Sequence, residues 1–145
     1  MVELIRTVSL RSYFEEQLVG LSVSPESRAY VVSLMADYKT SEKDLSRESL
    51  VLFFTRAREL GSFELFQQLG DWVLWTMALA PDSLAEKALA EDLGRLSYYR
   101  CWSILRGSWG LYEELADRLP HVATSVRNSL SANDCTQLKP GGIIY

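Results

Sequence analysis

Gly70-Asp71-Trp72-Val73-Leu74-Trp75-Thr76-Met77-Ala78-Leu79-Ala80-Pro81-Asp82-Ser83-Leu84 contains nine consecutive uncharged residues, Trp72 to Ala80, closed by Asp71 on one side and Pro81 on the other. Such a run is too short to cross a bilayer, which takes about 20 mainly apolar residues. It predicts instead the buried central helix of a small helical domain. Upstream, Glu64, Gln68, Asp71 and Trp75 follow spacings of four, three and four, so a polar stripe runs along one helix face into a tryptophan. The other sides carry Phe63, Leu65, Phe66, Leu69, Trp72, Val73 and Met77. A helix apolar nearly all round is buried on several sides, either within the monomer or by a partner.

Outward from this segment, helical punctuation recurs and hairpin signals are lacking. A first helix is expected over about Ser9 to Val19, with Leu10, Phe14 and Leu18 on one face. Ser24-Pro25-Glu26 reads as a capped start with proline at the first helical position, and the helix continues to about Tyr38. Lys39 to Arg47 is a loop or short turn. Glu48 to Leu60 is a third helix stopped at Gly61, and Ser62 caps the central one. Ser83-Leu84-Ala85-Glu86 matches a capping box for the next helix. Gly94 then divides that helix from an aromatic segment, Leu96 to Leu105. A turn over Arg106 to Gly110 precedes a helix from Leu111 to Leu119, and Pro120 opens a last helix ending near Leu130. The expected fold is therefore all-α, a single-domain bundle of six to seven helices over residues 1–130, with a flexible or docked C-terminal tail over residues 131–145.

The chain has 145 residues, 48% of them hydrophobic and 23% charged, which suits one globular domain. A net charge of -4 disfavours non-specific attraction to nucleic acid or an anionic membrane. Arg95 and Arg106 nearly superpose on a helical wheel while Arg100 points away, so no basic stripe forms. The start Met1-Val2-Glu3-Leu4-Ile5-Arg6 lacks the basic segment and apolar run of a secretory signal, and Cys101 and Cys135 lack disulfide or CxxC spacing. A cytoplasmic protein with reduced thiols is expected.

Catalytic and cofactor signatures are weak. The single histidine, His121, has Arg118 three residues before it, so the Glu-x-x-His pattern of di-iron bundles is not met, and two cysteines with one histidine make no zinc set. No GxSxG, GxGxxG or GxxxxGK[ST] motif is present. His121 fits an exposed first turn, and Cys101, between Tyr99, Trp102 and Ile104, fits packing. Glu113 and Glu114 after the Gly107-Ser108-Trp109-Gly110 turn favour capping over anion binding. The expectation is no metal, no cofactor and no enzymatic activity.

From about Leu50 to Leu130 the chain resembles a loose family of uncharacterised bacterial all-helical proteins. The matching features are Leu69-Gly70-Asp71, the closure Ala80-Pro81-Asp82-Ser83-Leu84, the pair Tyr98-Tyr99, and Tyr112-Glu113-Glu114-Leu115-Ala116-Asp117-Arg118-Leu119-Pro120. It departs in having Ala80 where an aromatic is expected and a longer stretch before Tyr98. The resemblance implies a helical fold and transfers no catalytic residue.

Two functional expectations follow. The first is a protein that works through self-association or a protein partner, with Trp75, Trp109, Ile143, Ile144 and Tyr145 as contact residues, because tryptophan is enriched at hot spots and an apolar tail gains only by docking. The alternative is a small-molecule site or unusual helical enzyme with a pocket at Asp71, Tyr98, Tyr99 and Arg100, where buried tyrosine hydroxyls would seek polar partners.

Overall fold

A computed structural model describes the backbone of residues 2–37, 47–134, 138–139 and 143–144, and side chains over residues 10–37 and 48–130. Among these residues the fold is all-α. The helices are α1 (Val2–Gln17), α2 (Pro25–Asp37), α3 (Arg47–Leu60), α4 (Phe63–Leu79), α5 (Lys87–Ile104), α6 (Leu111–Asp117) and α7 (Leu119–Asp134). Leu138–Lys139 and Ile143–Ile144 pair antiparallel over two residues each, too little to add a sheet layer.

The central helix is α4. Ser62 is its N-cap, accepting from the Leu65 N–H at 3.2 Å, and the chain leaves the helix at Ala80 before Pro81. Phe66, Leu69, Trp72, Val73, Leu74 and Ala78 are buried, and α4 packs against α2, α3, α5 and α7. Its uncharged half is thus largely buried within one chain, with Trp75, Met77 and Leu79 half-buried against the core. The hydroxyl of buried Thr76 donates to the Trp72 carbonyl at 2.7 Å, so it enters the core without an unmet donor. No helix among the described residues is long and apolar enough to cross a membrane.

Helices α4 and α5 approach closely through one glycine from each. A Cβ at Gly70 would lie 2.7 Å from the Tyr98 ring, and one at Gly94 would lie 2.8 Å from Val73 Cγ1 and 3.0 Å from Leu119 Cδ2. Each glycine is the hollow that receives a side chain of the facing helix. This corrects the expectation that Gly94 divides a helix: α5 runs unbroken from Lys87 to Ile104. The lost propensity of a mid-helix glycine, ~1 kcal/mol, is offset by packing that any Cβ would prevent.

Other boundaries differ for local reasons. Ser83 does not form the expected capping box. Pro81–Ser83 is a 3-10 turn instead, closed by Ser83 N–H to Ala80 O and Leu84 N–H to Pro81 O, and it brings Leu84 into the core. Helix α5 consequently starts at Lys87 after an N-cap, Glu86, that makes no side-chain cap bond. Helix α1 begins at Val2, seven residues before the expected Ser9, and α7 continues to Asp134, four beyond Leu130, so 131–134 are helical. Helix α6 ends at Asp117, and α7 starts at Leu119 with Pro120 in its first turn, where a missing N–H costs nothing. The turn after α5 places Arg106 and Gly107 at φ 57° and 68°.

Substituting Gly70→Ala should destabilise the fold despite the gain of helix propensity. The ring it meets is held at its hydroxyl end, so about 1–3 kcal/mol of overpacking outweighs the ~1 kcal/mol gained. A lower midpoint in urea unfolding checks this, and an unchanged or higher midpoint would contradict the close approach.

Candidate functional site

Two polar constellations stand out, one inside the bundle and one at its surface. Within the bundle, Asp71 projects from α4 towards α2 and α5. Its Oδ1 accepts from the Tyr30 hydroxyl at 2.5 Å and the Tyr98 hydroxyl at 2.7 Å, so a single oxygen ties three helices. Tyr98 is fully buried, and Gly70 leaves the space for its ring. Burial pushes the Asp71 carboxyl up to about 6, although the two tyrosine hydrogen bonds pull the other way. Burial and the neighbouring Asp71 charge raise both tyrosine hydroxyls well above their ordinary value.

Tyr112 on α6 is the hub of the surrounding rings. It meets Tyr30, Phe63 and Trp109 edge-on at centroid distances of 5.8, 5.5 and 5.5 Å, and lies tilted against Tyr98 at 6.0 Å. Its hydroxyl accepts from Gln67 Nε2 at 2.8 Å. Burial, then the nearby Cys101 and Asp71, push this hydroxyl up to about 12. The Cys101 thiol, buried and facing the Phe63 carbonyl at 3.8 Å, is likewise pushed up to about 12 by burial and by Asp71. It is therefore a protonated, weakly nucleophilic thiol at neutral pH. Cys101 is free, and Cys135 lies outside the described residues.

At the surface, the N-terminus of α2 meets α6. Ser24 caps α2 by accepting from the Ser27 N–H at 3.2 Å. In a capping box the residue at position 27 would be Glu or Gln and would take the Ser24 N–H. Ser27 is too short to do so, and Glu114 of α6 replaces it from across the fold. Its Oε2 accepts from Ser24 N–H at 3.1 Å and its Oε1 from Ser24 Oγ at 2.7 Å, while the Ser27 hydroxyl also donates to Oε1. Burial alone would raise the Glu114 carboxyl; the serine hydroxyls, the Ser24 N–H and Arg118 outweigh it and hold it below its usual value. Glu114 thus caps α2 rather than its own helix. Arg118 donates to the Ser22 carbonyl at 2.5 Å and closes the same junction.

Beside this cap lies an open groove of about 550 Å³ bordered by Glu26, Trp109, Glu113, Glu114, Asp117 and Arg118. Trp109 is 45% exposed there while its indole rests against Tyr112. The groove and the buried tyrosine cluster therefore share one ring contact.

The residues singled out from the sequence separate into different places. Asp71 and Tyr98 meet directly; Tyr99, one residue on, turns outward and donates its hydroxyl to Asp117, and Arg100 is exposed. The four do not line one pocket, because consecutive helical residues point about 100° apart. Trp75 is half-buried and Trp109 exposed, and the side chains of Ile143 and Ile144, with all of Tyr145, lie outside the described residues. His121 is exposed in the first turn of α7. Tyr30, Gln67 and Tyr112 escaped sequence reasoning as members of the cluster. Each carries a group that seeks a hydrogen-bond partner, but its neighbours in sequence do not name that partner.

Among the described residues, no group of three or more His, Cys, Asp or Glu side chains is placed to hold a metal ion. The chain matches no protein-family model, and no curated protein and no solved structure is significantly similar to it.

Two stability tests follow from this chemistry. The folded chain keeps the Asp71 proton to about pH 6, whereas an unfolded aspartate releases it near 3.8. The native state therefore binds more protons in this window, and stability present at low pH is lost as pH rises through about 6, by on the order of 3 kcal/mol. Glu114 acts oppositely, its contribution disappearing as pH falls through its lowered value. Asp71→Asn should therefore abolish the decline between about pH 4 and 6.5, read as the wild-type minus variant difference in unfolding free energy; equal slopes would refute the buried-carboxyl assignment. Glu114→Ala should cost about 1–2 kcal/mol by leaving the Ser24 N–H without its acceptor, with hydrogen exchange rising first at the start of α2.

Proposed function

We propose that this chain is a non-enzymatic helical module of the bacterial cytoplasm that works through protein contacts, with the Trp109 groove as its working surface. The observation that carries this reading is the contrast between the two polar constellations. Asp71, Tyr98 and Tyr30 spend their hydrogen-bonding groups on one another, whereas Trp109 is held against Tyr112 yet leaves nearly half its surface to solvent beside a concavity. A rigid aromatic beside a groove loses little conformational freedom on binding, which is why tryptophan recurs at interface hot spots. The net charge of -4 favours a protein partner over direct contact with nucleic acid.

The alternative, a small-molecule pocket or helical enzyme at Asp71, Tyr98, Tyr99 and Arg100, has less support because those side chains diverge. Self-association and a heterologous partner both remain within the proposed class, and the apolar Ile143, Ile144 and Tyr145 are further contact candidates.

The test combines light scattering after size exclusion with affinity capture by the wild type and by Trp109→Ala. Since Trp109 is nearly half exposed and meets Tyr112 edge-on, the variant should unfold within about 1 kcal/mol of wild type. It should also lose the self-association or the captured partner that wild type retains. A monomer whose retained proteins are the same with and without the Trp109 indole would overturn the reading.

A further inference from the structure

Resting on the reading of this groove as the working surface, we infer that it receives an arginine- or lysine-bearing segment of a partner protein. Three separate features converge there. The first is shape: about 550 Å³ of open concavity lies between the start of α2 and helix α6, within the range of about 300–1,000 Å³ typical of ligand sites and ample for long side chains. The second is the indole of Trp109, a surface that attracts guanidinium and ammonium groups through the ring quadrupole. The third is the sign of the wall. Glu26, Glu113 and Asp117 are exposed along it, Asp117 also accepting from the Tyr99 hydroxyl.

The remaining charges in the groove are already committed. Glu114 is engaged by Ser24 and Ser27, and Arg118, the cation among the lining residues, donates to the Ser22 carbonyl. An anionic ligand would meet three carboxylates, and the α2 N-terminus, which would otherwise attract it, is capped by Glu114. A cationic side chain meets opposite charge and an aromatic surface together, the complementarity that fixes register and speeds encounter at interfaces. A segment rather than a folded face suits a concavity of this size between two helices.

The probe is a fluorescein-labelled hexapeptide alternating glycine and arginine, with its glycine–glutamate counterpart as comparison, read by fluorescence anisotropy. Two double variants are compared with wild type: Glu26→Gln with Glu113→Gln in the groove, and Glu59→Gln with Asp82→Asn on exposed positions outside the groove lining. Both remove the same formal charge. The arginine peptide should bind and the glutamate peptide should not. The groove variant should bind about tenfold more weakly, the control within about twofold, and Trp109→Ala should weaken binding as well. Higher salt should weaken the wild-type complex, since its charges lie at a solvated rim.

Equal losses in the two double variants would mean attraction to overall charge and would overturn the inference, as would equal binding of both peptides or of neither. Self-association abolished by the groove variant, without peptide binding, would assign the groove to a second copy of this chain and overturn it too. Retention of a Trp109-dependent partner alongside failure of the peptide arm would sink the cationic occupant alone. Indifference of both assays to Trp109 would remove the underlying reading as well.

Discussion

A carboxylate surrounded by tyrosine rings can remain in a protein interior only if donors reach it, and at Asp71 the donors come from two other helices. Tyr30 of α2 and Tyr98 of α5 both donate to the same oxygen on α4. Desolvation of a charged group is expensive unless hydrogen bonds compensate it, so the packing of α2 and α5 on α4 is constrained by chemistry as well as by shape. The position of Tyr98 depends in turn on Gly70, whose missing Cβ is the space the ring occupies. The residue that makes the polar tie and the residue that makes room for it are neighbours in sequence, one turning its side chain to the hydroxyl and the other offering its bare backbone to the ring.

The same logic links interior to surface. Tyr112 stands between Tyr98 and Tyr30 on its inner side and Trp109 on its outer side. Its helix, α6, also supplies Glu114, which completes the cap of α2. A helix of seven residues has little stability of its own, yet here it joins the aromatic core to the start of α2 and borders the groove. Movement of α6 would disturb a ring contact, a helix cap and the position of Trp109 together.

Much of the fold was legible in the sequence because helix signals are local. Ser62 before Phe63, Pro120 near the start of α7 and the uncharged run of α4 each act within a turn or two of themselves, and each marks its element in the structure. The failures were also physical. Gly94 looks like a breaker to local propensity, whereas Val73 and Leu119 from other helices make it a packing hollow. Ser83 has capping-box spacing, but Pro81 commits it to a 3-10 turn. Of the candidate site residues, Asp71 and Tyr98 met each other, while Tyr99 turned aside, half-buried, to reach Asp117, and Arg100 followed the helix around to solvent.

The sequence by itself determined that the chain is helical, that α4 lies at its centre, and that aromatic groups exceed what a plain aliphatic core needs. Those properties depend on residues a few positions apart, whose spacing a helix converts directly into faces. Only the tertiary structure decided which polar groups are satisfied and which surface remains: Tyr30 reaches Asp71 across 41 positions, and Ser24 reaches Glu114 across 90. Contacts over such separations leave no periodic signature, because each partner's sequence records a need for a hydrogen bond without saying who meets it. Most of the charge-free run is buried by its own chain, with Trp75, Met77, Leu79 and Ala80 partly exposed. What the same packing leaves open is Trp109 beside an acidic groove.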